Sequence, residues 1–264
     1  MRAGAVKAGF KQQCIQFFAD PQWLIPSLIS PFLFAMVMIF IGSRGGAVQG
    51  PIVLQAVLGG GVLGMWANSL FASSSSVSFD RINGTFEPMI RTGTRIVYVL
   101  AGRSLWNVTI GLVNAAAVFV IAELMFGTGM KLANPALFFL TLIMTLLSLS
   151  CVGLLISALF VFTRKGATIS AIMEYPIYVM SGALVPVTVL PGWMQAVSKL
   201  LPPTWGVDAI KYAALPGFEG MMGVSFGVSV IVCIFFSIAF AAAAYFLLIF
   251  VERRILASGT AELF

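Results

Sequence analysis

The last long apolar stretch of the chain, from Val224 to Val251, reads VSFGVSVIVCIFFSIAFAAAAYFLLIFV and contains no charged residue. A helix needs about 20 apolar residues to cross the hydrocarbon core of a bilayer, and this stretch is long enough. Ala239 and Ala243 add small residues four positions apart, a spacing at which helices approach closely in lipid. The stretch therefore predicts a membrane-spanning helix that packs against other helices.

The composition extends this prediction to the whole chain. Of the 264 residues, 60% are apolar and only 9% are charged, whereas soluble domains carry about a quarter charged residues. Bilayer hydrocarbon is the solvent that fits so little polar surface. We therefore predict an all-α membrane protein, a single transmembrane domain over residues 1–264 with six transmembrane helices. The predicted spans cover residues 23–41, 52–77, 96–122, 133–162, 167–185 and 224–251.

Residues 1–19 predict an N-terminal amphipathic helix. Val6, Phe10, Cys14 and Phe17 recur at helical spacing, and lysines and glutamines occupy the other side. The segment has no long apolar core and no small-residue cleavage site, so it is not a signal peptide. We expect it to be an interfacial helix that lies flat at the headgroup level.

Two other segments interrupt the apolar pattern. Residues 78–95 form the longest polar break in the first half of the chain. Residues 186–223 are rich in Pro, Gly and Trp; they are too apolar for a solvated loop and too broken for a span. We expect residues 186–223 to form one or two short helices that dip into the membrane surface.

The basic residues predict the orientation of the chain. With six spans, both termini lie on one side, and the residues on that side include eleven Lys and Arg, against four on the other side. The excess of positive charge marks the cytoplasmic side, so we predict a multi-pass cell-membrane protein with both termini in the cytoplasm. The side of the termini holds Arg2, Lys7, Lys11, Arg81, Arg91, Arg95, Arg103, Arg164, Lys165, Arg253 and Arg254. The other side holds Arg44, Lys131, Lys199 and Lys211.

Small and charged residues within the predicted spans carry expectations of their own. Gly60 and Gly64 predict a close helix–helix contact, with a hydroxyl-lined substrate path along the serines that follow as the alternative. Arg103 lies in the first turns of its span, where we expect its side chain to reach the interface. Glu174 is the acid deep in a span, and an ionisable group there is either a structural carboxylate or a functional site.

Several chemistries are excluded by the residues that the chain lacks. It has no histidine and three widely spaced cysteines, which predicts neither a metal site nor a disulfide framework. No Gly-x-x-x-x-Gly-Lys-Ser/Thr loop is present, so the chain is not expected to bind ATP in that way. The acids are scattered singly and no nucleophile–base set exists, which predicts a protein that is not itself an enzyme.

Specific sequence patterns lie in the two interrupted segments. Residues 80–87 read DRINGTFE, residues 181–186 read SGALVP, residues 190–193 read LPGW, and residues 201–208 read LPPTWGVD, followed by Lys211. In this order the patterns resemble the permease subunits of ATP-binding-cassette exporters of the drug, polysaccharide and teichoic-acid (type-2) family. The resemblance covers nearly the whole chain once the amphipathic first helix and the six spans are included.

The resemblance implies a role for each segment. Residues 79–91 would form the coupling helix that docks on the ATPase subunit, and residues 186–223 would form an external re-entrant helical hairpin before the last span. The coupling residues are then Asp80, Arg81, Gly84, Thr85, Phe86, Glu87 and Arg91. The external gate residues are Pro186, Pro191, Trp193, Pro203, Trp205, Asp208 and Lys211; the last two, three positions apart, are also expected to stabilise a short helix locally.

The resemblance also implies partners and a mechanism. Two permeases would face each other in the lipid bilayer, as a homodimer or a heterodimer, and two cytoplasmic ATPase subunits would bind ATP and Mg²⁺, while this chain binds no cofactor. No nucleic acid is expected as a partner. The exported substrate would be amphiphilic, a drug or a lipid in preference to a peptide or a lipid-linked glycan. An ion-gradient-driven transporter or channel that uses Glu174, and a membrane-embedded enzyme, are the competing hypotheses.

Overall fold

The computed structural model describes residues 2–19, 21–43, 53–64, 80, 83–85, 88–89, 95–127, 132–160, 176–183, 186–221 and 223–258. Within these ranges the chain is helical and contains no strand. The helices are α1 (Arg2–Ala19), α2 (Pro21–Ser43), α3 (Val53–Gly64), α4 (Ile96–Phe126), α5 (Pro135–Phe160), α6 (Gly192–Leu200), α7 (Pro202–Ala214) and α8 (Phe226–Ser258). A helical turn covers residues 176–180, and a 3₁₀ turn covers Val187–Val189.

Three of these helices, α4, α5 and α8, are long and apolar enough to cross a membrane. Shorter apolar helical stretches cover Ile29–Ile41 in α2 and Val53–Gly64 in α3. The prediction of a helical membrane protein is therefore confirmed. The count of six spans stays a prediction, because residues 65–79 and 161–175 lie outside the described part of the chain.

The apolar face of α1 packs along α4. Phe17 is buried against Trp106 and Ile110. The rings of Phe10 and Trp106 meet edge to face, with their centroids 5.4 Å apart. Glycines allow the two backbones to approach: a Cβ atom on Gly102 would lie 2.0 Å from the carbonyl oxygen of Val6. A Cβ on Gly9 would similarly lie 2.2 Å from the carbonyl oxygen of Val99. The face that was predicted to lie on lipid is thus covered by a span of the same chain.

Helices α2 and α3 meet through the two glycines singled out in the sequence. A Cβ on Gly60 would lie 2.8 Å from the Cβ of Ala35, and a Cβ on Gly64 would lie 2.3 Å from the Cγ of Pro31. No larger residue fits at either glycine without displacing α2. The predicted helix–helix contact at this pair is confirmed.

Helix α7 is buried between α5 and α8, although it belongs to the segment predicted to be external. All of its residues except Tyr212 are buried. Small residues make this possible: a Cβ on Gly206 would lie 2.5 Å from the Oγ1 of Thr145 on α5. The backbone N–H groups of Ala133 and Asn134 donate to the carbonyls of Ala214 and Ala213, which ties the end of α7 to the start of α5.

Helices α4 and α8 define the two ends of the bundle. At one end, Ile96 and Leu100 near the start of α4 pack with Leu248 and Val251 near the end of α8. At the other end, the start of α8 packs beside α7. We call the first the loop end, because Asp80 and Met89, which precede α4, contact the bundle there, and the second the hairpin end. Between the two ends most of the α8 surface is apolar and exposed, as at Phe235, Ile238 and Phe246, which suits contact with lipid or a second subunit.

Candidate functional site

Asp80 lies at the centre of a buried polar cluster at the loop end. Its Oδ2 is 2.7 Å from Nη2 of Arg103, and both side chains are almost completely buried. Its Oδ1 accepts hydrogen bonds from the Thr85 hydroxyl at 3.3 Å and from Nε2 of Gln12 at 3.5 Å. The carboxylate therefore joins three parts of the chain: α1 through Gln12, α4 through Arg103, and the turn at residues 83–85 through Thr85.

The Arg103 side chain does not reach the interface, so that expectation is wrong. The residue is 1% exposed and pairs with Asp80 within the protein. Burying a charge in a low-dielectric interior is tolerable only when an opposite charge and hydrogen bonds compensate it. An arginine in an apolar span requires a carboxylate partner, and this signal could have identified Asp80 from the sequence. Gln12 gave no comparable signal.

The turn at residues 83–85 is exposed at the surface. Asn83, Gly84 and Thr85 are all exposed, and Gly84 has φ of +66°, a conformation that L side chains rarely adopt. The backbone N–H of Thr85 donates to the carbonyl of Asp80 at 2.9 Å, so the buried carboxylate residue also fixes the turn. The exposed turn is thus hydrogen-bonded to a buried base, Asp80.

The structure divides the predicted coupling residues into two groups. Asp80 is buried, whereas Gly84 and Thr85 are on the exposed turn. The remaining coupling residues and the intramembrane acid lie outside the described residues, and their roles stay predictions: Arg81, Phe86, Glu87, Arg91 and Glu174.

A second buried polar cluster surrounds Asp208 on α7, at the hairpin end. Its Oδ1 accepts a hydrogen bond from the backbone N–H of Met221 at 2.6 Å. Its Oδ2 accepts one from the hydroxyl of Ser229, on the first turn of α8, at 2.5 Å. One side chain thus fastens α7 to the connection that follows it and to the last span. Neither partner was identified from the sequence, because a backbone N–H and a serine leave no specific pattern.

Lys211 binds a different segment from Asp208. Its Nζ donates to the carbonyl of Gly182 at 2.7 Å and lies 3.9 Å from the sulfur of Met221. In the described part of the chain, no ion pair joins Lys211 to Asp208, so the expected local pair on one helix is replaced by contacts to other segments. Burial lowers the pKa of Lys211 from 10.5 to about 8, and the charge of Asp208 opposes this shift.

The predicted gate residues occupy contrasting environments. Trp193 on α6 is 66% exposed, whereas Trp205 is buried and donates from Nε1 to the carbonyl of Lys199 at 2.9 Å. Pro203 is buried in the first turn of α7, and Pro186 and Pro191 are exposed at the ends of the 3₁₀ turn and before α6. The structure brings Pro186 and Lys211 together on the wall of one cavity.

This cavity has a volume of about 490 Å³, and we call it the Lys211 cavity. Its charged lining side chains are Lys199 and Lys211, and both are cationic. The volume falls within the range of small-molecule sites, about 300–1,000 Å³. The other lining residues are Gln55, Pro186, Val187, Thr188, Gln195, Phe218, Gly220, Met221 and Gly223.

Comparisons with known proteins agree with the described architecture. Residues 4–215 match the family model described as ABC-2 type transporter. The chain is also 26% identical over 147 residues to ABC transporter G family member 20 of Dictyostelium discoideum. That match covers 55% of this chain and 20% of the relative, so this chain spans about a fifth of the relative's length.

Proposed function

Because the chain belongs to the ABC-2 type transporter family, we propose that it is the permease subunit of an ATP-driven exporter. Domains of this family are the transmembrane components of ABC transporters and lack the ATPase site. A separate ATP-binding-cassette ATPase subunit would hold ATP and Mg²⁺. Two permease subunits and two ATPase subunits would form the working complex in the cell membrane, with the termini of this chain in the cytoplasm.

The observation that carries this proposal is the exposed turn 83–85 on its buried base. A docking element must transmit force, so it needs an exposed surface for the partner and a stiff connection to the spans. The turn offers the surface, and Asp80 connects it to α1 and to α4 through Gln12 and Arg103. In this proposal the ATPase contacts Gly84 and Thr85, and Asp80 transmits their displacement instead of touching the partner.

The substrate in this proposal is an amphiphilic molecule, a drug or a lipid, that moves out of the cytoplasm or the inner leaflet. The apolar spans offer few polar groups to a strongly hydrated solute. The gate at the hairpin end would open by movement of α6 and of the connection around Pro186, because both are more exposed than α7. Helix α7, fastened by Asp208 and Lys211, would act as the fixed side of the gate.

The test compares two exposed glycines at opposite ends of α4. Gly84 and Gly127 both have positive φ, and a Cβ on either would meet nothing within 4 Å. We expect Gly84→Tyr to abolish co-purification of the ATPase subunit with the tagged chain, because the side chain blocks the docking surface. Gly127→Tyr imposes similar backbone strain and should retain the ATPase and its ATP hydrolysis. Transport that continues without any ATPase would overturn the proposal.

A further inference from the structure

We propose that the Lys211 cavity binds the phosphate headgroup of an anionic lipid. This site is separate from the predicted ATPase contact, which lies at the other end of the bundle. The proposal does not depend on the direction or substrate of transport. It concerns a ligand held by this chain at the hairpin end, beside the helices that precede the last span.

The charges around the cavity favour an anion. The lining side chains that carry charge are Lys199 and Lys211, and in the described part of the chain neither forms an ion pair with a carboxylate. The Asp208 carboxylate raises the pKa of Lys211 by its charge, but its two oxygens accept from Met221 and Ser229 and it forms no ion pair with either lysine in the described part of the chain. Lys211 is 3% exposed, and a pKa of about 8 leaves it mostly protonated at neutral pH. A buried cation without an ion pair is stabilised by an anion beside it.

Both lysines are held in place by other contacts. Nζ of Lys211 is fixed by the Gly182 carbonyl, and the backbone of Lys199 is fixed by the indole N–H of Trp205. Gln195 on the same wall donates to the carbonyls of Leu190 and Thr188, which fixes the rim of the cavity. The Lys211 ammonium group, the backbone at Lys199 and the rim of the cavity are therefore in place before a ligand arrives, which reduces the entropy lost on binding.

The surroundings favour a lipid headgroup over a free anion. Val187, Phe218 and Met221 give the cavity an apolar wall beside the two lysines. Next to it, α6 exposes three large apolar side chains on one face: Trp193, Val197 and Leu200. Tryptophan is enriched where membrane hydrocarbon meets water, so this face is suited to lie at the headgroup level. A lipid whose phosphate lies at the two lysines would then place its acyl chains along the apolar face of α6.

The experiment uses the full-length chain purified in detergent and titrated with short-chain phosphatidylglycerol, phosphatidylcholine or inorganic phosphate. Bound molecules are counted by native mass spectrometry. We expect phosphatidylglycerol to bind more tightly than phosphatidylcholine. We expect Lys199→Gln to weaken phosphatidylglycerol binding about fivefold, the effect of one basic residue near an anionic lipid. Lys199 is exposed, so this variant should fold normally.

The matched control is Lys7→Gln, which removes an exposed lysine from α1. It should leave phosphatidylglycerol binding unchanged. Lys211→Met should reduce binding further; if this variant fails to fold, the comparison of Lys199→Gln with Lys7→Gln decides. Equal binding of the two lipids, or equal loss in the two glutamine variants, would overturn the proposal. Inorganic phosphate binding as tightly as phosphatidylglycerol would also overturn it, because the site would then recognise a free ion.

Discussion

Asp80 and Asp208 show how single residues hold together segments that are far apart in the sequence. Each carboxylate is buried and accepts hydrogen bonds from at least two other parts of the chain. The sequence indicated that both residues matter, through the patterns around them, but it did not indicate their contacts. The partners Arg103, Gln12 and Ser229 lie 23, 68 and 21 residues away from their carboxylates, and only the packing of helices brings them together.

Removal of the Asp80 charge should destabilise the protein strongly. Asp80→Asn leaves the Arg103 guanidinium buried without its counter-charge, and breaking a buried pair in this way costs about 3–5 kcal/mol. We expect a large fall in the thermal unfolding temperature of the purified chain. Glu219→Gln, which changes an exposed acid at the hairpin end, should have no such effect. Replacing both members, as Asp80→Leu with Arg103→Met, should recover most of the loss; a double variant as unstable as Asp80→Asn would contradict this account.

Lys211 should make stability depend on alkaline pH. Its pKa is about 8 in the folded protein and 10.5 in the unfolded chain. Between these values the unfolded chain binds a proton that the folded protein does not, so the Lys211 contribution to stability rises with pH. Below about pH 8 the residue is protonated in both states, so it does not make the free energy of unfolding depend on pH. We expect the unfolding temperature of the wild type to rise relative to that of Lys211→Met between about pH 8 and 10.5. A constant difference over this range would contradict the proposed burial.

At the scale of helices, some contacts could be predicted from the sequence and others could not. Gly60 and Gly64 lie four residues apart within one apolar stretch, so their close contact with another helix could be predicted. Gly9 and Gly102 lie on two different helices, and neither has another glycine four residues away to mark a contact. The burial of α7 was also missed, because its Asp, Lys and prolines are typical of a solvated helix.

The close approach of α1 and α4 should not tolerate a methyl group. In Gly102→Ala the new Cβ would meet the carbonyl of Val6, so α1 must move away and lose its packing on Trp106. We expect a loss of about 1–3 kcal/mol in stability, typical of overpacked interiors. Gly4→Ala on α1 meets nothing within 4 Å and should be neutral or slightly stabilising. The measurement is thermal unfolding; equal effects of the two substitutions would exclude the close contact.

At the scale of the molecule, composition and apolar run length were sufficient to predict a helical membrane protein. They worked because the bilayer restricts spanning segments to long apolar helices. The same signals do not say which helices touch, since most of the surface of each span is apolar whichever way it faces. The contact of α1 with α4 and the insertion of α7 between α5 and α8 depend on shape and small residues, which composition does not report.

The orientation of the bundle can be tested with cysteine labelling. In a background without Cys14, Cys151 and Cys233, we introduce Asn83→Cys on the exposed turn or Thr188→Cys on the 3₁₀ turn. A membrane-impermeant maleimide should label Thr188→Cys in intact cells and Asn83→Cys only after permeabilisation. The reverse pattern would contradict the predicted orientation, and labelling of both from one side would contradict the placement of these turns at opposite ends.

The contacts of Asp208 also constrain the biosynthesis of the protein. Both groups that satisfy its carboxylate, the N–H of Met221 and the hydroxyl of Ser229, follow it in the chain. The ribosome therefore synthesises α7 before the two hydrogen-bond donors to Asp208 exist. The carboxylate receives both hydrogen bonds only after α8 has been inserted. A nascent chain truncated before residue 229 lacks the Ser229 hydroxyl that donates to this carboxylate, and one truncated before residue 221 lacks both donors. Insertion of the last span is therefore the step that completes the hydrogen bonding of the Asp208 carboxylate.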